Sequence, residues 1–183
     1  DETLDQYREA ALMQRAVVNL NRSMKSGDVV DALLQECEGH TFPSQVAMVF
    51  LKDGTLACHT HFGGKQTHTA EELSHITESE LYKEVMREQR GEIVNDLAAD
   101  SRWANQVPGL KSMLVTPLKA PRIALGALVL AGPEKLPQFR AAHLKRSDTL
   151  ASVTGVAMAN AHHFEQVQQI LMALIKAMAT AID

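Results

Sequence analysis

From Pro137 to its end at Asp183 the chain reads as a single helix, and the length of that helix limits every other choice. Roughly 45 residues at 1.5 Å per residue make a rod of about 65 Å, longer than one small domain can cover. Within it Leu150, Val153, Ala157, Asn160, Phe164, Val167, Leu171, Leu174, Met178 and Ala181 fall at alternating spacings of three and four, with Asn160 the single polar member. Such a heptad seam is ordinarily buried against a partner helix, and a lone Asn in it would fix register at some cost in stability. A second reading stands beside the first: residues up to about Phe164 pack on the chain's own sheet, and only the remainder pairs between chains. Either way a homodimer contact is expected at Phe164, Val167, Leu171, Leu174 and Met178.

The chain of 183 residues suits one α/β or α+β domain with flanking helices. Hydrophobic residues at 45% and charged residues at 22% exclude wholesale disorder. The net charge of -4, with no Lys/Arg cluster interleaved with aromatics, argues against a nucleic-acid partner. Cys37 and Cys58 have no short spacing between them, so free thiols in a reducing cytoplasm are expected, although the residues alone leave a disulfide open. No run of about 20 apolar residues reads as a membrane span, and Asp1 to Asp5 do not read as a signal peptide. The chain starts without Met and stops in mid-helix, so it is expected to belong to a longer protein.

An amphipathic helix is expected from Leu4 to Met24, with Leu12, Ala16, Val17, Leu20 and Met24 on one face. Ser26, Gly27 and Asp28 should stop it and cap a second helix, whose Val30, Leu33, Leu34 and Cys37 point inward. The period then changes to that of strands in "SQVAMVFLK" and "TLACHTHF", with Asp53-Gly54 as a tight hairpin turn. A two-residue loop there would place Val46, Met48 and Phe50 on a face with Ala57, His59 and His61. Val49 and Leu51 would then share the other face with Leu56 and Cys58. The polar stretch Lys65 to Ser79 reads as a mobile loop ending in a capping box, Thr77 with Glu80, which opens a helix that stops at Gly91. A short strand, Glu92 to Asn95, and two longer ones in "SMLVTPLK" and "RIALGALVLAG" complete the pattern. Pro117 cannot donate to a ladder, so it should sit at an edge or a bulge.

The order of these elements resembles that of a GAF domain, the small-molecule sensor module of bacterial signalling proteins. The resemblance is carried by "GEIVND" (91–96), "GLKSMLVTPL" (109–118), "ALGALVLAG" (124–132) and "ASVTGVAMANAHHFE" (151–165), and with the first hairpin it covers about residues 10 to 166. It implies an α+β fold: a central antiparallel sheet of five or six strands, terminal helices on one face, and a ligand pocket on the other under a loop and the third helix. Gly126 would let a helix or ligand approach the strand closely, and the small residues of the last helix would let it lie flat on the sheet. The implied organisation is an N-terminal signalling or dimer helix (1–26), a sensor domain (27–165) and a connector helix (166–183). The tail "ILMALIKAMATAID" is also similar to the opening of an HD-GYP domain, a cyclic-di-GMP phosphodiesterase, whose metal-binding His-Asp motif is absent from these residues.

Ligand-binding candidates under this resemblance are Phe50, His59, Phe62, Asp96, Trp103, Ser112 and Thr116. Ser112 and Thr116 alternate with Met113 and Val115, and one of those two faces should border the pocket. Asp96, Asp100 and Arg102 either clamp a polar ligand or stabilise a turn by Asp side-chain bonds. Trp103, the only tryptophan, lies in a polar stretch where its indole needs something to cover it. His59 and His61 alternate on one strand face without a strong metal-ligand spacing, so no metal is assigned. Catalytic signatures are missing: there is no Gly-x-Ser-x-Gly, no phosphate-cradling glycine loop and no His-Glu-x-x-His. The reductase branch of the family needs pocket cysteines that Cys58 alone does not supply, a bilin photosensor needs a Cys elsewhere, and the Asn-Lys-x-Phe motif of cyclic-nucleotide binders is absent. The residues therefore predict a ligand-sensing, dimerising regulatory module of unknown ligand, not itself an enzyme. The alternatives are a purely structural dimerisation module whose interior is filled by Phe50, Phe62, Trp103 and Met side chains, and a redox enzyme.

Overall fold

A computed structural model describes residues 2–22, 25–39 and 42–182. Met24 and Asp183, to which the sequence gives roles, lie outside the described residues. Helix α1 (Glu2–Asn21) and helix α2 (Ser26–Gly39) lead into strands β1 (Val46–Leu51) and β2 (Leu56–His61). A short helix α3 (Ala70–Ser74) and helix α4 (Glu80–Glu88) separate these from β3 (Glu92–Val94), β4 (Ser112–Ala120) and β5 (Ile123–Gly132), and α5 (Ala141–Ile182) closes the chain. The five strands form one antiparallel sheet in the order β2-β1-β5-β4-β3.

Alternation along β1 divides the core. Ala47 and Val49 join Leu114, Leu118, Leu128 and Leu130 under α1, α2 and α5. Val46, Met48 and Phe50 join Met113, Val115, Ala127 and Val129 on the opposite face, which α3, α4 and the 95–111 segment cover. Both faces of β1 are therefore buried, and its sequence is correspondingly an unbroken apolar run.

Two glycines permit close packing. A Cβ on Gly126, whose φ is +153°, would lie 1.9 Å from the Phe50 carbonyl oxygen, so the close neighbour there is strand β1, not a helix or ligand as expected. A Cβ on Gly155 would lie 2.2 Å from the Lys119 carbonyl oxygen, and this contact seats α5 flat against β4. Pro117 meets its expectation: β3 pairs only with Met113 to Val115, so β4 is an edge strand by the time it reaches Pro117.

Several local expectations are corrected. The first hairpin closes through four residues, 52–55, with Leu51 N–H donating to the Thr55 carbonyl at 2.8 Å and Gly54 at φ +87°. A register shift after Val49 pairs Phe50 with Leu56 instead of Ala57, which turns Leu56 to the face of Phe50. The stretch 65–79 is not a plain loop. Its capping box is Thr69 with Glu72, opening α3, while Thr77 Oγ1 donates to the Ser74 carbonyl and Ser79 caps α4 through Tyr82 N–H. Helix α4 ends at Gln89, held at φ +54°, before Gly91 is reached. Helix α2 starts at Ser26, so Asp28 lies in its first turn instead of capping it.

Candidate functional site

The face away from the terminal helices is closed by the chain's own side chains. Trp103 is 2% exposed and Phe50 0%, and they share this interior with Met48, Met113, Leu81 and Tyr82. Phe50 meets Tyr82 edge-on at 5.6 Å between ring centroids, and burial raises the Tyr82 phenol above its ordinary pKa. Trp103 is delivered by a turn built on Asp100. The Asp100 carboxylate accepts from Arg102 N–H at 2.9 Å, and its carbonyl accepts from Trp103 N–H at 3.1 Å. Ala104 and Asn105 then take positive φ values of +49° and +50°. The Trp103 Nε1–H is buried without a hydrogen-bond partner among the described residues, which normally costs free energy.

The turn reading of the acidic stretch is the one the geometry follows. Arg102 is held by Asp100 at 2.7 Å, Glu92 at 2.6 Å and Glu84 at 2.8 Å, which ties the 97–103 segment to α4 and β3. These bonds hold the Asp100 carboxyl below its ordinary pKa. Asp96 stands apart, exposed at the end of β3.

The seven ligand candidates do not converge. Phe50 and Trp103 meet in the closed interior, and His59 lies on the same sheet face, opposite Met48. Phe62 packs instead against the core under the terminal helices. Thr116, a strand partner of Leu128, also faces those helices and bonds the Ser147 hydroxyl of α5. Ser112 lies on its side of β4 by alternation. The face of β4 turned toward Trp103 is that of Met113 and Val115. The sequence could not settle this choice, because all residues from Ser112 to Leu118 are buried and polarity gives no direction.

Three of the histidines, His59, His61 and His68, form a small group at the β2 edge. His59 and His61 meet at 5.7 Å. Burial, and then the neighbouring His59 and His68, lowers the His61 pKa. His68 Nε2 donates to the Pro108 carbonyl at 3.0 Å, pinning the start of the 65–79 stretch to the 104–111 segment. Among the described residues no group of three His, Cys, Asp or Glu is arranged to hold a metal ion. Cys58 donates to Asp31 Oδ1 at 3.3 Å. Burial first, then that bond and the Asp31 charge, raise its pKa, so the nucleophilic thiolate is disfavoured.

The second candidate site is the end of α5. Buried positions on this helix run from Ser147 to Ala161. Beyond them Val167 is 63% exposed, Leu171 55%, Leu174 56% and Met178 66%, while Phe164 marks the transition at 41%. Among the described residues no helix is long and apolar enough to cross a membrane.

A single open antiparallel sheet with terminal helices on one face and short helices and a long loop on the other defines an open-sheet α+β domain. The GAF domain family model matches residues 24–159, and the chain belongs to the GAF family, a family of signalling sensor modules. Among solved structures, the fold is similar to the GAF domain of an Acinetobacter phosphoenolpyruvate-protein phosphotransferase, at 17% identity and a TM-score of 0.67, covering 87% of this chain and 98% of that one. It is also similar to a GAF domain/HD domain protein from Geobacter sulfurreducens (15%, TM-score 0.63, 74% and 93%). A free methionine-R-sulfoxide reductase from Neisseria meningitidis is a third (11%, TM-score 0.65, 85% and 90%). No curated protein sequence matches the chain.

Proposed function

We propose that this GAF domain works in the cytoplasm as a homodimer that passes a conformational signal along α5 to an output domain. The observation that carries this reading is the apolar seam of Val167, Leu171, Leu174 and Met178, more than half exposed in a single chain. Leaving such side chains in water is unfavourable, and a second copy of the same helix removes them from it. The residues described here act as regulator and carry no catalysis of their own. The output we favour is an HD-GYP phosphodiesterase acting on cyclic-di-GMP, on the similarity of Ile170–Asp183 to the opening of that domain.

What biases the dimer is the less constrained half of the reading. A small molecule under α3 and α4 would act only if it bound two dimer arrangements with different affinity. The closed interior around Phe50 and Trp103 supports a second reading, in which the domain is a structural dimerisation module without a ligand. Thermal denaturation with nucleotides, small carboxylic acids and haem separates the two, since a specific ligand raises the melting temperature by mass action. No shift with any of them would count for the structural module. For the seam itself, Leu171→Ser with Leu174→Ser is expected to give a folded monomer in sedimentation velocity. A double variant that still sediments as a dimer would remove the seam from the interface.

A further inference from the structure

The sheet has two edges, and only one of them is guarded. At one edge β3 is three residues long and carries Glu92. The part of β4 that runs past it holds Pro117 and Lys119, and Lys119 Nζ donates to the Gln89 carbonyl at 2.9 Å. Short strands, prolines and charges are the usual means of keeping a foreign strand off an edge. The other edge, β2, has none of them: its six residues, Leu56 to His61, include no proline, no lysine and no carboxylate. The bulge at Ala57 lies near one end and leaves Cys58 to His61 regular.

The register of β2 fixes which backbone groups it offers. Phe62 N–H donates to the Gln45 carbonyl at 2.8 Å, and further along the ladder Ala47 faces Thr60 and Val49 faces Cys58. Bonded and unbonded pairs alternate between antiparallel strands, so Cys58 and Thr60 turn their N–H and C=O groups to β1. His59 and His61 turn theirs outward, where no further strand follows in the sheet order. A groove between this edge and α2 has a volume of about 270 Å³ beside Cys58 to Thr60 and about 330 Å³ beside Ala57. Its α2 wall presents Asp31, Gln35 and Glu38, all exposed on successive turns of one helix face. Asp31 Oδ1 also accepts from the Cys58 thiol at 3.3 Å, which places this wall directly over the strand. Among the described residues that line the groove there is no Lys or Arg.

We propose that β2 is a docking edge for an extended, basic segment of a partner protein, which adds to the sheet as a further strand. Main-chain hydrogen bonds to His59 and His61 supply the affinity, and the alternation of side chains supplies the choice of sequence. Every second side chain of the added strand lies on the face of Cys58 and Thr60, within reach of Asp31 and Glu38, where Lys or Arg fits. The side chains between them lie beside His59 and His61 on the opposite face. Charge selects this occupant over a second copy of β2, which would bring only Cys58 and Thr60 to the acidic wall. The docking stands independently of the homodimer reading, because it uses neither α5 nor its apolar seam.

The test is fluorescence anisotropy of labelled Lys-Val-Lys-Val-Lys-Val-Lys with the full chain. Saturable binding below about 1 mM is expected, and no binding in that range would overturn the proposal. Asp31→Asn with Glu38→Gln, both at exposed positions, is expected to weaken binding by about ten-fold or more. An unchanged affinity would remove the acidic wall from the site. Only every second N–H of an added strand faces β2, so N-methylation of one alternate set, Val or Lys, is expected to abolish binding and that of the other to be tolerated. A peptide that binds equally well with either set methylated is held by charge alone, and strand addition is then wrong. His59→Pro removes one outward N–H and none that faces β1. If it abolishes self-association of the parent while Leu171→Ser with Leu174→Ser leaves that association intact, a second copy occupies β2 in place of the basic segment.

Discussion

At the scale of single residues the fold depends on positions where there is no room for a side chain. Gly155→Ala would place a Cβ 2.2 Å from the Lys119 carbonyl, backbone that cannot swing aside. Alanine is the better helix former by about 1 kcal/mol, yet forcing helix and sheet apart costs about 1–3 kcal/mol or more. The expected outcome is a net loss of stability in urea titration, and a stabilised variant would mean that α5 does not lie on β4. Arg102 is a different case, an ion-pair hub about one quarter exposed. Arg102→Ala leaves three carboxylates together and is expected to cost about 1–2 kcal/mol at neutral pH, less than a fully buried network would. Because its bonds depress the folded Asp100 pKa below 3.8, their stabilisation is full above that value and is lost as pH falls through the lower folded pKa. The stability gap between parent and variant should therefore be widest near neutrality and close in acid. A gap that widens in acid would contradict the assignment.

At the scale of elements, α4 is set by one hydroxyl. Ser79 is 1% exposed and its Oγ accepts from Tyr82 N–H, so Ser79→Ala is expected to cost about 1 kcal/mol, with Thr77→Ala costing less. The sequence reading placed the box at Thr77 and Glu80, although Thr69 and Glu72 fit the same pattern in the same polar stretch. Local spacing cannot say which candidate the tertiary fold will use. The strands were legible for the opposite reason: the apolar runs of β1, β4 and β5 admit few alternatives. What alternation could not show was which side of a fully buried strand faces which layer, and so Thr116 was assigned to a pocket although it bonds Ser147 under α5. The β2 register was missed through an extra residue on β2, Ala57, opposite the step from Val49 to Phe50, a bulge with no sequence mark of its own. Trp103 was correctly expected to need cover, since an indole in a polar stretch has few other resting places. It is also the only tryptophan, so its emission should be that of a fully buried indole, and Trp103→Ala should cost about 3–5 kcal/mol.

At the scale of the whole molecule, α5 runs well past the core that its first half helps to build. The heptad pattern of α5 was visible from the sequence, and the structure divides it where the sequence allowed, with Leu150 and Ala157 inside and Val167 to Met178 outside. On α1 the sequence reading placed Leu12 on the inner face with Ala16 and Leu20, but Leu12 proves 38% exposed while the other two are buried. Under the proposed homodimer the exposed row of α5 would be buried against a second copy related by a two-fold axis along the helices. Sedimentation equilibrium of the parent chain over a range of concentrations tests this most directly. The account predicts a species of twice the 20.1 kDa of one chain, dissociating on dilution. A mass of 20.1 kDa at every concentration would contradict it.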